Sequence, residues 1–207
     1  MSPETASPVI SSRLVQQFVA ATTEEVGAEK LTLALADENL SSSLLAQENL
    51  GRLDGRAAAE LYAMLLHALW LYYGRGARGI LLRLGRGLWQ KIVEQASLRE
   101  KAELLIVRRL PVPARRRRVL EFVAERLRDP GGSSSVHLLD VDLLLVDRSS
   151  AATCGQADDE PICYVTRGMI QGRYFGLPVV KRTSKRSPAR RPARPLVNSE
   201  YRFNRVG

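Results

Sequence analysis

The chain has 207 residues, 45% of them hydrophobic and 26% charged, a balance typical of globular proteins that supports a packed core. Its longest apolar run, Leu61 to Tyr73, is broken by His67 and is shorter than the roughly 20 residues of a membrane span. The opening "MSPETASP" lacks the basic start of a secretory signal, so a cytoplasmic protein without a transmembrane segment is expected.

Net charge is +9, yet residues 181–205 alone hold nine Lys/Arg and one acid, a net +8. The body of the protein is therefore balanced, which argues against the whole domain as a nucleic-acid binder.

In chain order, "SSRLVQQFVAATTEEVG" places Ser at an N-cap, spaces Leu14, Val15, Phe18, Val19 and Val26 on one helical face, and stops at Gly27. A second short helix, "AEKLTLALADENL", leads into a Ser/Gln/Asn-rich connector. "DGRAAAELYAMLLHALWLYYG" opens on Asp54, closes at Gly74 and is apolar almost all round from Leu61, as a central core helix would be. "GARGILLRLGRGLWQKIVEQ" is the next helix, with Ile80, Leu81, Leu84, Leu88, Trp89 and Ile92 on one side. Its glycines 79, 85 and 87 each weaken a helix by about 1 kcal/mol relative to alanine. Compensation is expected from close helix packing, the alternative being a ligand against the backbone.

Residues 97–107 are ambiguous. "PVPARRRRVLEFVAERLRDPGG" is a helix with Pro113 in its first turn and a Pro-Gly-Gly stop. Arg115 to Arg118 would be a solvated first turn, although four positive charges oppose the helix dipole there and hint at an anionic contact. "SVHLLDVDLLLVDRS" alternates as one strand. "EPICYVTRGMIQGRYFG" reads as a helix with Pro161 at its start, and "LPVVKR" and "SEYRFNRVG" read as two strands flanking a Pro/Arg-rich mobile loop. The fold class is α+β, a helical N-terminal part packed on a small antiparallel sheet. The division expected is a helical segment at 1–53 and a mixed domain at 54–207, with a basic loop at 181–198.

The C-terminal third resembles the 4-vinyl reductase domain family, small-molecule-binding domains related in fold to small subunits of the TRAPP vesicle-tethering complex. The resemblance rests on the order of "VDLLLVDRS", Cys154-Gly155-Gln156, Pro161-Ile162-Cys163, Gly168-Met169-Ile170-Gln171-Gly172, "LPVV" and "YRFNRV". The helix "ARGILLRLGRGLWQKIV" resembles the family's upstream arginine/glycine helix, so roughly residues 60–207 are covered. Related sequences carry further cysteines near the last strands; here Tyr201 stands where the last is expected. The resemblance implies a hydrophobic or porphyrin-like (tetrapyrrole) ligand, and links to bacteriochlorophyll or hydrocarbon metabolism.

Cys154 and Cys163 flank an acidic turn. Structural zinc takes four Cys/His ligands; His67 and His137 stand at no metal-motif spacing, and Asp158, Asp159 or Glu160 could complete a site only as an unusual two-thiolate, two-carboxylate set. Metal ligation and a disulfide remain alternatives. A cytosolic setting disfavours the disulfide, and packing beside a pocket is the reading adopted. No nucleophile elbow, phosphate loop or HExxH occurs, so no enzyme is read. The ligand-binding residues expected are Tyr72, Tyr73, Arg78, Arg83, Trp89, Cys154, Cys163, Tyr164, Gly168, Met169 and Phe175, with arginine available to a ligand carboxylate. The competing reading is a dimeric scaffold built on the apolar helix at 54–74, and a homodimer is expected in either case. Lys181, Arg182, Lys185, Arg186, Arg190, Arg191 and Arg194 could contact nucleic acid or another anionic surface non-specifically.

Overall fold

Ser11 starts the first helix by accepting the Leu14 amide on its side chain at 3.2 Å, and Gly27, at φ 87°, ends it. This helix, α1 (Ser12–Val26), is followed by α2 (Ala28–Asp37). The polar connector then holds a 3-10 turn, Ser42–Leu45, and the short α3 (Gln47–Gly51). Asp54 caps α4 (Gly55–Tyr73), accepting the amides of Arg56 at 3.0 Å and Ala57 at 2.8 Å, and Gly74, at φ 48°, closes it. Then come α5 (Ala77–Glu94), α6 (Leu98–Arg109), α7 (Val112–Arg128), strands β1 (Ser134–Leu139) and β2 (Asp142–Asp147), α8 (Tyr164–Gln171) and β3 (Ser199–Phe203). The computed structural model describes residues 8–38, 40–128, 134–139, 142–147, 150–153, 163–172 and 199–203.

The α+β expectation holds at this level, with eight helices and a three-stranded antiparallel sheet of order β1-β2-β3 among the described residues. Three local readings change. The segment read as a single strand is a hairpin, with Leu139 paired to Asp142 across two residues. Uninterrupted alternation hid the division, because the sequence between Leu139 and Asp142 has none of the glycine that signals a hairpin. The ambiguous stretch after Ala96 is helix α6, started by a capping box in which Ser97 and Glu100 each bind the other's amide. The last helix begins at Tyr164, later than Pro161; residues 161 and 162, and the "LPVV" segment, lie outside the described residues.

The core runs from Ile10 through the faces of α1, α4 and α5 to Ile170 on α8, and residues of 8–53 share it with those beyond 54. Trp89, Phe18, Leu65, Leu69, Leu120 and Met169 are among its fully buried side chains. Burial of such side chains stabilises the fold by about 1.5–3 kcal/mol each. On the sheet, Leu143, Leu145 and Asp147 alternate onto one buried face of β2. Ser134 stands opposite Asp147 in the register. Helix α7 covers β1 and β2, with Val119, Leu120, Phe122 and Val123 buried.

The arginine run of α7 is anchored within the protein. Arg117 binds Glu121 at 2.8 Å, and Arg118 binds Glu103 of α6 through Nε at 3.0 Å, with Glu121 and Glu125 at 3.3 and 3.5 Å. Those carboxylates, the Glu103 hydrogen bond first, hold the Arg118 guanidinium above its ordinary pKa. Arg115 donates to the Arg108 carbonyl at the end of α6 at 3.4 Å. Contacts within α7, and from Arg115 and Arg118 to α6, offset part of the dipole cost at the start of α7.

Candidate functional site

The glycines of α5 have separate explanations. A Cβ on Gly85 would lie 2.7 Å from the Gly168 Cα, and one on Gly168 would lie 2.9 Å from the Gly85 Cα. Real Cβ contacts essentially never come this close, so α5 and α8 touch backbone to backbone and only glycine fits at either position. Gly172 extends the seam, since a Cβ there would lie 2.8 Å from Trp89 Cδ1. Close packing therefore compensates for Gly85, as expected. Gly79 and Gly87 meet only ordinary neighbours at 3.7 Å, the Arg83 guanidinium and the Ala21 methyl.

The expected ligand-wall residues separate into three groups. Tyr72 and Tyr73 meet edge to face at 4.9 Å, and Arg83 binds Glu25 of α1. Burial first, then Tyr72 and Glu25, raises the Tyr73 phenol above its ordinary pKa. Tyr164 stacks on Trp70 at 5.8 Å with the Arg78 guanidinium 5.5 Å from its centroid. Trp89 is buried edge-on to Phe122 at 5.4 Å and against Gly172, with Met169 buried in the same core. None of these residues lines the cavity described below. Cys154, Phe175 and Lys181, Arg182, Lys185, Arg186, Arg190, Arg191 and Arg194 lie outside the described residues.

Cys163, immediately before α8, leads to a different place. It is buried, and it acts on the phenol of Tyr62 on α4. Burial first, then Cys163, then Asp147, pushes the Tyr62 hydroxyl well above its ordinary pKa. Tyr62 is therefore a proton-bearing donor at physiological pH. Its ring is held by Phe18, at 4.7 Å between centroids. Asp147 accepts a hydrogen bond from Ser134 Oγ at 3.0 Å.

Between Tyr62 and Asp147 lies a cavity of about 10 Å³, walled also by Ser150 and Thr166 and by Ile10, Leu14, Leu127, Ala151 and Ala152. Five buried polar side chains (Tyr62, Ser134, Asp147, Ser150 and Thr166) thus gather among aliphatic ones. The arrangement offers hydroxyl donors and one carboxyl acceptor, suited to a group that carries a hydrogen-bond donor. An anionic group would meet the negative charge of Asp147.

Sequence reasoning missed Tyr62, Ser134, Asp147, Ser150 and Thr166. One signal was present: Asp147 falls in phase with Leu143 and Leu145, which puts an acid on the face of the strand that also carries two leucines. Both histidines are surface-exposed, and among the described residues no three His, Cys, Asp or Glu come together as a metal site. Among the described residues, no helix is long and apolar enough to cross a membrane. Compared with protein-family models, curated proteins and solved structures, the chain matches none.

Proposed function

We propose that this protein is a non-enzymatic binding module for a small, largely apolar molecule that presents a hydrogen-bond donor to Asp147 and accepts from Tyr62. The observation that carries the reading is the buried Tyr62–Asp147–Ser150–Thr166 ring around a cavity inside a largely apolar core. Desolvating polar groups costs free energy unless partners compensate, and convergent polar groups in an apolar enclosure are a common signature of ligand sites. The 4-vinyl reductase resemblance favours the same class of function, and a pyrrole N–H is a donor of the required kind. Drug-sized ligands occupy about 300–1,000 Å³, so a tetrapyrrole requires the seam between α4 and the end of β2 to open. The basic loop at 181–198 would then be an accessory anionic contact.

The test is a thermal-denaturation series of the full chain with protoporphyrin IX, phenol and a long-chain aromatic alcohol. A ligand at about 100 times its Kd stabilises by about 2.7 kcal/mol, and the account expects that rise to shrink in Tyr62→Phe and Asp147→Asn. A rise of equal size in the wild type and both variants would remove the site from the reading.

The second reading is a homodimeric scaffold. It is favoured by the filled packing around Trp89, Tyr164 and Met169, and by Met64 and Leu71, which leave an apolar edge of α4 exposed. Its signature is a dimer that Met64→Glu and Leu71→Glu convert to a monomer in sedimentation velocity.

A further inference from the structure

Helix α6 divides its residues by chemistry in an unusual direction. Its two acids face α7, where Glu100 binds Arg126 and Glu103 binds Arg118. Only Leu104 and Val107 of its apolar residues are buried. The remaining large apolar side chains point outward: Leu98 is 87% exposed, Leu105 60% and Ile106 64%. Leu98, Ala102 and Leu105 recur at i, i+4 and i+7, so they form one stripe with Ile106 beside it. The spacing sets Lys101 and Arg108 along one side of the stripe and Arg99 along the other, with Arg109 continuing it. These four cations are exposed and form no ion pair among the described residues.

An aliphatic stripe flanked on both sides by unpaired cations is the pattern of a helix lying in the interface of an anionic bilayer. The aliphatic side chains enter the acyl boundary and the Lys/Arg stems extend to the headgroup phosphates. We infer that the outward face of α6 docks on an anionic lipid surface. A second copy of the chain fits this face poorly, because pairing would oppose two cationic flanks. Nucleic acid would satisfy the cations and leave the leucines wet. Position in the fold is consistent with docking: the α6–α7 ion pairs hold the helix from behind, and Val112, 45% exposed, follows on the next turn.

The decisive experiment is co-sedimentation of the full chain with phosphatidylcholine vesicles carrying about one third phosphatidylserine, against phosphatidylcholine alone. The wild type should bind the anionic vesicles and not the neutral ones. The triple variant Leu98→Ser, Leu105→Ser, Ile106→Ser retains every charge, including those at 181–205, and should bind at least about tenfold more weakly. Lys101→Ala with Arg108→Ala leaves the stripe intact and should also weaken binding by about tenfold or more; it decides the matter if the triple variant is unstable. Absence of wild-type binding would overturn the inference. So would unchanged binding of the variants, which would assign attachment to the basic segment at 181–205. Self-association abolished by the triple variant, without vesicle binding, would assign the face to a second copy and equally overturn it.

Discussion

Where α5 crosses α8, Gly85 and Gly168 bring two backbones together with no side chain between them, whereas where α4 faces the end of β2 the gap holds Tyr62, Asp147, Ser150 and Thr166. The first contact has nothing to offer a ligand and no volume to spare. The second keeps hydrogen-bonding groups inside the core, in a place where aliphatic side chains would pack with less desolvation cost. Within one continuous core, one seam is closed backbone to backbone and the other keeps polar side chains around a small cavity.

The largest effects should come from the dry seam. Gly85→Val or Gly168→Val forces backbone apart and should destabilise by about 3 kcal/mol or more, read as a lowered urea midpoint. Gly87→Ala, whose new methyl meets Ala21 at 3.7 Å, should instead stabilise by about 0.5–1 kcal/mol. Equal responses at positions 85 and 87 would break the comparison.

At the polar seam, Asp147→Ala leaves Ser134 without this acceptor and should cost about 1–3 kcal/mol, while Asp147→Asn should cost less. Tyr62→Phe sharpens the contrast through pH. The folded phenol's pKa lies above its unfolded value near 10, so the unfolded chain releases a proton that the folded chain retains. This contribution is fully present below about pH 10 and is lost as pH rises toward the folded value, at up to about 1.4 kcal/mol per pH unit. Tyr62→Phe should flatten the alkaline decline seen in urea midpoints; an unaltered decline would place the titrating group elsewhere. The smallest effect belongs to the surface. Arg118→Ala should cost about 1 kcal/mol, diminishing with added salt.

Much of the dry seam was legible in the sequence. Three glycines in an amphipathic helix demand compensation, and the caps at Ser11 and Asp54 and the stops at Gly27 and Gly74 fall where the side-chain chemistry puts them. Which glycine is in contact was not legible, because the partner, Gly168, lies 83 positions along the chain. The capping box at Ser97–Glu100 was readable but was masked by the weak periodicity of α6, whose apolar residues point both inward and outward. The polar seam was almost invisible. Tyr62 reads as one more aromatic in an apolar helix, and its meaning depends on a strand about 85 residues away. Cys163 was singled out, but its electrostatic link to the Tyr62 phenol was not.

The central claim is tested most directly by native mass spectrometry of the full chain purified under mild conditions, wild type beside Tyr62→Phe. A bound non-covalent mass in the wild type that is lost or depleted in the variant is the predicted result. A wild type that carries no added mass and acquires none from protoporphyrin IX, phenol or the aromatic alcohol would contradict the binding account and leave the scaffold reading in its place.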